Sequence, residues 1–323
     1  MSVTVVAIVG FLLEFVLLET LDRSRKTSSI WKLEGRVRAI SRSLCCICLL
    51  LAVFTLSVQS QDALRVDVNL VNVFATVRDQ RGEFVTGLAA NDFRVYDDDV
   101  PQQISVFEKD DTVESAIAIL LDTSGSTVDV LPVMKRGTLE FAQNTKRLDD
   151  LCVFSFGTTV RLIHDFRAPL RNLQTRMEAL RPYGTTALFD ALIEAMRKIG
   201  ERKQERKAAI VLSDGNDNGS ALGFGTVSDL VQRTGTLIYF VAIGSRVHVD
   251  EHTVESLAAE SGGNVLYMSK TESVPAALDS IRAELAKQYY LGYYVPRRPG
   301  THQIRIEIPG RNVRIRAKSS YTG

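Results

Sequence analysis

The residues best placed to do chemistry lie in "AIAILLDTSGST", residues 116–127, where an apolar run stops on Asp122 and continues as Thr123, Ser124, Gly125 and Ser126. Carboxylates and hydroxyls are hard oxygen donors. With no His or Cys beside them, this set suits Mg²⁺, Mn²⁺ or Ca²⁺ better than zinc or copper. A second apolar run, "KAAIVLSDG", ends on Asp214. Ligand sites of open parallel sheets form at the carboxyl ends of strands, which is where both acids fall. The same residue types also favour Asp turns and helix N-caps, so a purely structural role for 122–126 is the competing reading.

Other groups carry weaker signals. "HVDEH", His248 to His252, matches a His-x-x-Glu-His zinc pattern. However, Asp250 reads as the N-cap of a helix beginning near Glu251, which leaves His248 outside that helix and breaks the ligand geometry. Asp97, Asp98 and Asp99 read as solvated acids of a hairpin turn. Cys45, Cys46 and Cys48 lie in an apolar N-terminal run, leaving Cys152, in "LCVFSF", as a buried thiol with no disulfide partner. A net charge of +1 gives no bulk electrostatic argument for a nucleic-acid partner. The basic run 197–208 reads as a solvated helix end.

These residues need elements to hold them. From 116 to about 287, continuous apolar strands alternate with amphipathic segments such as "ALFDALIEAMRKIGE", which places Leu188, Ala191, Leu192 and Met196 on one side. That pattern predicts a doubly wound, mostly parallel, Rossmann-like α/β sheet. The chain ends read differently. "RVDVNLVNVFATV" alternates, with a change of phase that suggests a bulge or a switch between sheets, and "YYLGYYV", "HQIRIEI" and "NVRIRAK" alternate after residue 288. Neither end can bury a face alone. Residues 63–110 and 288–321 are therefore expected to pair into one small β-sandwich, with the α/β domain, 115–287, inserted between them. Tyr289, Tyr290, Tyr293 and Tyr294 are expected to pack that sandwich.

With these pieces in view, the chain resembles the von Willebrand factor type A domain and its metal-ion-dependent adhesion site. "DTSGS", "GTTALFDAL" and "SDG" occur in the family's order across residues 115–287. The resemblance implies metal ligation by Asp122, Ser124, Ser126, Thr186 and Asp214, with Thr185 as the alternative register for the threonine. It also implies a divalent cation, Mg²⁺ first and Mn²⁺ or Ca²⁺ as alternatives, and a protein partner that donates an Asp or Glu carboxylate. The flanks, "VTGLAANDFRVYDDDVPQQISVFEKDD", "AELAKQYYLGYYVP" and "RIRAKSSY", resemble the bacterial exported VWFA-related acidobacterial domain proteins. Asp99 stands where those proteins usually carry a turn glycine, and Ser320 where their tail commonly has Gly.

The first 60 residues form a segment of their own. "LCCICLLLAVFTLSV", 44–58, has the length of a secretory apolar core after Arg36, Arg38 and Arg42, and Val58-Gln59-Ser60 suits cleavage after Ser60. Residues 37–60 thus read as a signal peptide, with translation starting at residue 37. The alternative is an uncleaved anchor at residues 3–21, which would be the chain's one membrane contact. Both predict export to the periplasm, the cell envelope or the medium. The expected function is non-catalytic, metal-dependent binding of a protein. A structural scaffold and a metal-dependent hydrolase are the alternatives.

Overall fold

In the computed structural model, described over residues 68–109, 113–146, 149–213, 217–243, 250–268 and 274–323, the apolar strands form the centre. Strands β5 (Ser115–Asp122), β6 (Asp150–Phe156), β7 (Val160–His164), β8 (Arg206–Ser213), β9 (Leu237–Ile243) and β10 (Asn264–Met268) make one six-stranded sheet. Its order is β10-β9-β8-β5-β6-β7. All pairs are parallel except β6 with β7, a hairpin that leaves one antiparallel edge.

Every residue of β5 is buried, and the two-residue period splits them between two cores. Ile117, Ile119 and Leu121 meet helices α1 (Leu131–Gln143), α2 (Leu170–Ala179) and α6 (Val274–Lys287) through Met134, Phe141, Leu173, Leu278 and Ile281. Ala116, Ala118 and Leu120 face α3 (Leu188–Gly200), α4 (Phe224–Thr234) and α5 (Glu251–Ser261) through Leu192, Met196, Val227, Val231 and Leu257. Burying each large aliphatic side chain stabilises by about 1.5–3 kcal/mol. The sheet is therefore a rigid platform for whatever its strand ends carry.

The chain ends meet as their alternation predicted. β1 (Val68–Arg78) pairs antiparallel with β11 (Tyr289–Pro296) from Val68 opposite Pro296 to Ala75 opposite Tyr289. With β4 (Val106–Glu108) and β13 (Arg314–Arg316) they form the sheet β13-β1-β11-β4. The facing sheet, β14-β12-β2-β3, uses β2 (Arg94–Asp97), β3 (Val100–Gln102), β12 (Thr301–Glu307) and β14 (Ser320–Thr322). Val71, Val73, Val77, Leu291, Tyr293, Val95 and Ile304 fill the core between them. The described residues all belong to one compact unit, Val66–Gly323.

Several expectations need correction. No bulge interrupts β1: its pairing with β11 runs in unbroken register from Val68 to Ala75. The apparent change of phase arises because Val68 and Leu70 are apolar but exposed, on the face opposite the one that carries Val71, Val73 and Val77 into the sandwich core. Tyr289, Tyr290 and Tyr293 are buried, but Tyr294 is 53% exposed. Asp97 is not solvated but fully buried. Among the elements that escaped the sequence reading are α4 and β10. α4 opens after a run rich in Gly and Ser with no side-chain cap and buries Val227 and Val231 alone. β10 is an edge strand of half-buried residues with no clear alternation in exposure.

Candidate metal centre

Asp122 ends β5 at the carboxyl edge of the sheet and is fully buried. Its Oδ1 accepts the Ser124 N–H at 2.8 Å and its Oδ2 accepts the Ser213 hydroxyl at 2.5 Å. The first bond folds the chain back on itself directly after the strand; the second ties the end of β5 to the end of β8. Ser124 and Ser126 then bring their Oγ atoms to 3.1 Å. Burial falls along the turn: Asp122 and Ser124 lie at the bottom, Gly125 and Ser126 at the exposed lip. Neither serine caps a helix. The 3-10 turn at 125–127 has no side-chain cap from Ser124, and α1 starts later, after Val130, also without one. The capping explanation therefore fails for these hydroxyls.

A second loop closes over the first. The Tyr183 N–H donates to Thr123 O at 2.8 Å and the Gly125 N–H donates to Gly184 O at 3.1 Å. Gly184 has φ +80°, and a Cβ there would stand 2.0 Å from Thr158 Oγ1, so the approach requires glycine. The two threonines that follow part company. Thr186 is buried, whereas Thr185 is exposed and its hydroxyl donates to Thr158 Oγ1 at 3.3 Å. A third loop, 217–220, is stitched to Thr186: Asn218 Oδ1 accepts the Thr186 N–H at 2.7 Å, and the Asn218 and Gly219 N–H groups both donate to Thr186 O at 3.0 Å. Asp217 Oδ1 accepts the Leu188 N–H at 2.8 Å and so caps α3.

Four of the five expected ligands thus lie on loops joined by direct hydrogen bonds: Asp122, Ser124 and Ser126 on the first, Thr186 on the second. Asp214 lies outside the described residues; Ser213, immediately before it, is the residue bonded to Asp122. The sequence reading missed Asp217 and Asn218, the residues that tie the third loop to the second. The run "SDGNDNGS", 213–220, dense in short polar residues, was the available signal.

Other candidate groups resolve differently. Asp97, Asp98 and His302 lie within 4.8 Å of one another. Protein groups already use them: Asp97 Oδ1 takes Arg298 at 2.5 Å, and its Oδ2 takes the Tyr293 and Tyr321 hydroxyls at 3.0 and 2.9 Å. Asp98 Oδ2 meets His302 Nδ1 at 2.7 Å. These acids hold the sandwich together through the hairpin. Asp98 and Asp99 sit there at φ 48° and 64°, the left-handed region that favours glycine. In "HVDEH", Asp250 does cap α5, accepting the Thr253 N–H at 3.2 Å, while His248 lies outside the described residues. Burial, and then the Asp165 carboxylate, push the buried Cys152 thiol far above its ordinary pKa.

The donor set fits a hard divalent ion. In octahedral coordination at about 2.0–2.1 Å, neighbouring ligand oxygens stand roughly 3 Å apart. The Ser124–Ser126 oxygen separation of 3.1 Å matches that spacing above a buried carboxylate.

Comparison with known proteins agrees with the fold. The family model described as von Willebrand factor type A domain matches residues 116–282. No curated protein matches the sequence. Among solved structures, proximal thread matrix protein 1 from the mussel byssus is similar at TM-score 0.50 and 18% identity, over 59% of this chain and 51% of that one. A further structure of that mussel protein, with a zinc-occupied MIDAS motif, gives TM-score 0.49 and 18% identity over 59% and 50%. A von Willebrand factor type A protein from Catenulispora acidiphila gives TM-score 0.49 and 12% identity over 80% and 74%. The chain spans about half the length of the mussel protein.

Proposed function

The chain belongs to the von Willebrand factor type A family, and from that premise we propose that it is an exported, non-catalytic protein that captures a protein partner through a divalent cation. Asp122, Ser124, Ser126 and Thr186 would hold the ion together with Asp214, and Mg²⁺ is the first choice for a site built of oxygen donors alone. The observation that carries this reading is the pair of serine hydroxyls at ligand spacing above the buried Asp122, with no capping role to explain them.

The bound ion supplies an electrophilic point that accepts an anionic oxygen. The chain's own residues do the rest. Asp122 and Asp214 balance the charge of the cation, and the neutral hydroxyls leave room for an Asp or Glu carboxylate from the partner. Ser213 and the Ser124 amide hold the Asp122 carboxylate in one orientation, so little ordering is left to do when the ion enters. A binding role is favoured over hydrolysis because neither His164 nor His302 stands at the cup. His164 pairs opposite Val153, midway along β6 and three positions from Phe156, which stands opposite Asp122, and His302 belongs to the sandwich.

Export follows from the apolar segment 44–58 and the cleavage pattern at 58–60; among the described residues no helix is long and apolar enough to cross a membrane. N-terminal sequencing of the fractionated protein tests it, and a mature chain beginning at Gln61 is the expected result. For the site, a pull-down with immobilised protein in Mg²⁺ or in chelator is the direct experiment. A partner retained in Mg²⁺ and released by chelator is expected, and capture indifferent to both metal and Asp122→Ala would favour a scaffold.

A further inference from the structure

Eight large apolar side chains are exposed among the described residues, and three of them belong to the metal centre's surroundings: Val128 and Tyr183 on the first and second loops, and Leu222 two positions after the third. Val128 follows Ser126 by two positions, Tyr183 precedes Thr186 by three, and Leu222 follows Asn218 by four. Their exposures are 60%, 80% and 41%. A single exposed apolar residue needs no explanation. Three placed around one polar cup, on backbone that is firmly held, do.

The backbone beneath them is fixed by hydrogen bonds. Tyr183 N–H donates to Thr123 O, and Thr127, next to Val128, donates its hydroxyl to Ser124 O at 2.8 Å. The Ala221 and Leu222 N–H groups donate to Asp190 Oδ2 and Oδ1 at 2.9 and 3.0 Å. These side chains therefore stand in water although the loops beneath them are ordered, and a partner that covered them would pay little to order the surface.

Charge adds a direction. Beside Tyr183, the exposed Arg181 is held against Glu178 O and Leu180 O at 2.6 and 2.9 Å, and Lys135 donates to Leu180 O at 2.9 Å. Burial, and then the Arg181 charge, lower the Lys135 pKa, consistent with two cations close together. The Tyr183 side of the cup thus favours an acidic segment.

We propose that Val128, Tyr183 and Leu222 form an apolar rim that selects the partner, which presents an Asp or Glu carboxylate to the ion from a protein segment with apolar residues on either side of it. This rests on the cup holding a divalent cation. The rim sets which carboxylate is accepted, because a bare carboxylate would reach the ion equally well from any segment. Tyrosine in such a position combines large contact area with few rotatable bonds.

The test is a peptide library displayed on phage, selected against the full protein in Mg²⁺ and eluted with chelator, alongside a Val128→Ser, Tyr183→Ser, Leu222→Ser triple variant. Metal titration of both proteins runs in parallel. Expected are metal-dependent peptides with an acid flanked by aliphatic or aromatic residues. Their affinity for the triple variant should fall about tenfold or more, while metal binding stays unchanged. Peptides with acids in polar surroundings, or peptides that bind the triple variant as well as the parent, would overturn the rim. The same holds for no metal-eluted peptide from a protein that titrates with Mg²⁺. A protein that takes up no metal at all points instead to failure of the cup itself. Sedimentation with and without Mg²⁺ covers the remaining occupant: a metal-dependent dimer lost in the triple variant would assign the rim to a second copy of this chain and overturn the peptide proposal.

Discussion

Thr185 and Thr186 are neighbours of the same type, yet the fold gives them different work. Thr186 is buried and its backbone makes three hydrogen bonds, two with Asn218 and one with Gly219, whereas Thr185 spends its hydroxyl on Thr158. Thr186→Ala should therefore weaken Mn²⁺ affinity about tenfold or more, the scale of a lost supporting contact in a metal site. Thr185→Ala should leave it within about twofold, and isothermal titration of both variants checks the pair. The acid-and-hydroxyl pattern at 122–126 was legible because ligand chemistry is written in residue types. The parts played by Asp217 and Asn218 were not, because they depend on which loop lies against which. No local rule says that an Asn side chain will cap a threonine amide 32 positions away.

Elements position the cup through backbone contacts that tolerate little change. Gly184→Ala would force a Cβ into Thr158 at a left-handed φ, and its expected cost is about 1–3 kcal/mol, read as a lowered midpoint in urea denaturation. The second loop should lose its register on the first at the same time, so metal affinity should fall with stability. Amphipathic helices were legible because their period matches the structure they form, and β5 because a continuous apolar run marks a strand whose two faces enter two different cores. α4 and β10 were not: α4 is amphipathic but opens behind a Gly- and Ser-rich run with no cap to mark its start, and β10 is a half-buried edge strand without alternation.

At the scale of the molecule, the sandwich and the α/β layers are joined at the end of α6. Glu284, 3% exposed, meets Arg78 of β1 at 3.1 Å, the Tyr239 hydroxyl of β9 at 2.9 Å, and Arg316 of β13. One carboxylate thus ties the last helix to both sheets. Glu284→Ala would strand partly buried guanidinium groups, and a loss of about 3 kcal/mol in denaturant unfolding is expected. The sandwich also carries a pH dependence. Its hydrogen bond to Asp98 raises the His302 pKa, and the same bond is the main cause of the lowered Asp98 pKa. A raised histidine contributes fully below its unfolded value near 6.5 and loses that contribution as pH rises through the folded value. The lowered Asp98 contributes above its ordinary carboxylate range and loses that contribution as pH falls through its folded value. Thermal stability of the parent should therefore decline above neutral pH relative to His302→Gln, which lacks that titration. None of these tests reaches the central claim as directly as titration of Mg²⁺ and Mn²⁺ into the purified protein and into Asp122→Ala. Saturable binding at one site in the parent, absent from a variant whose circular dichroism is unchanged, is the predicted result. A folded parent that takes up neither ion, or a variant that binds them equally well, would contradict it.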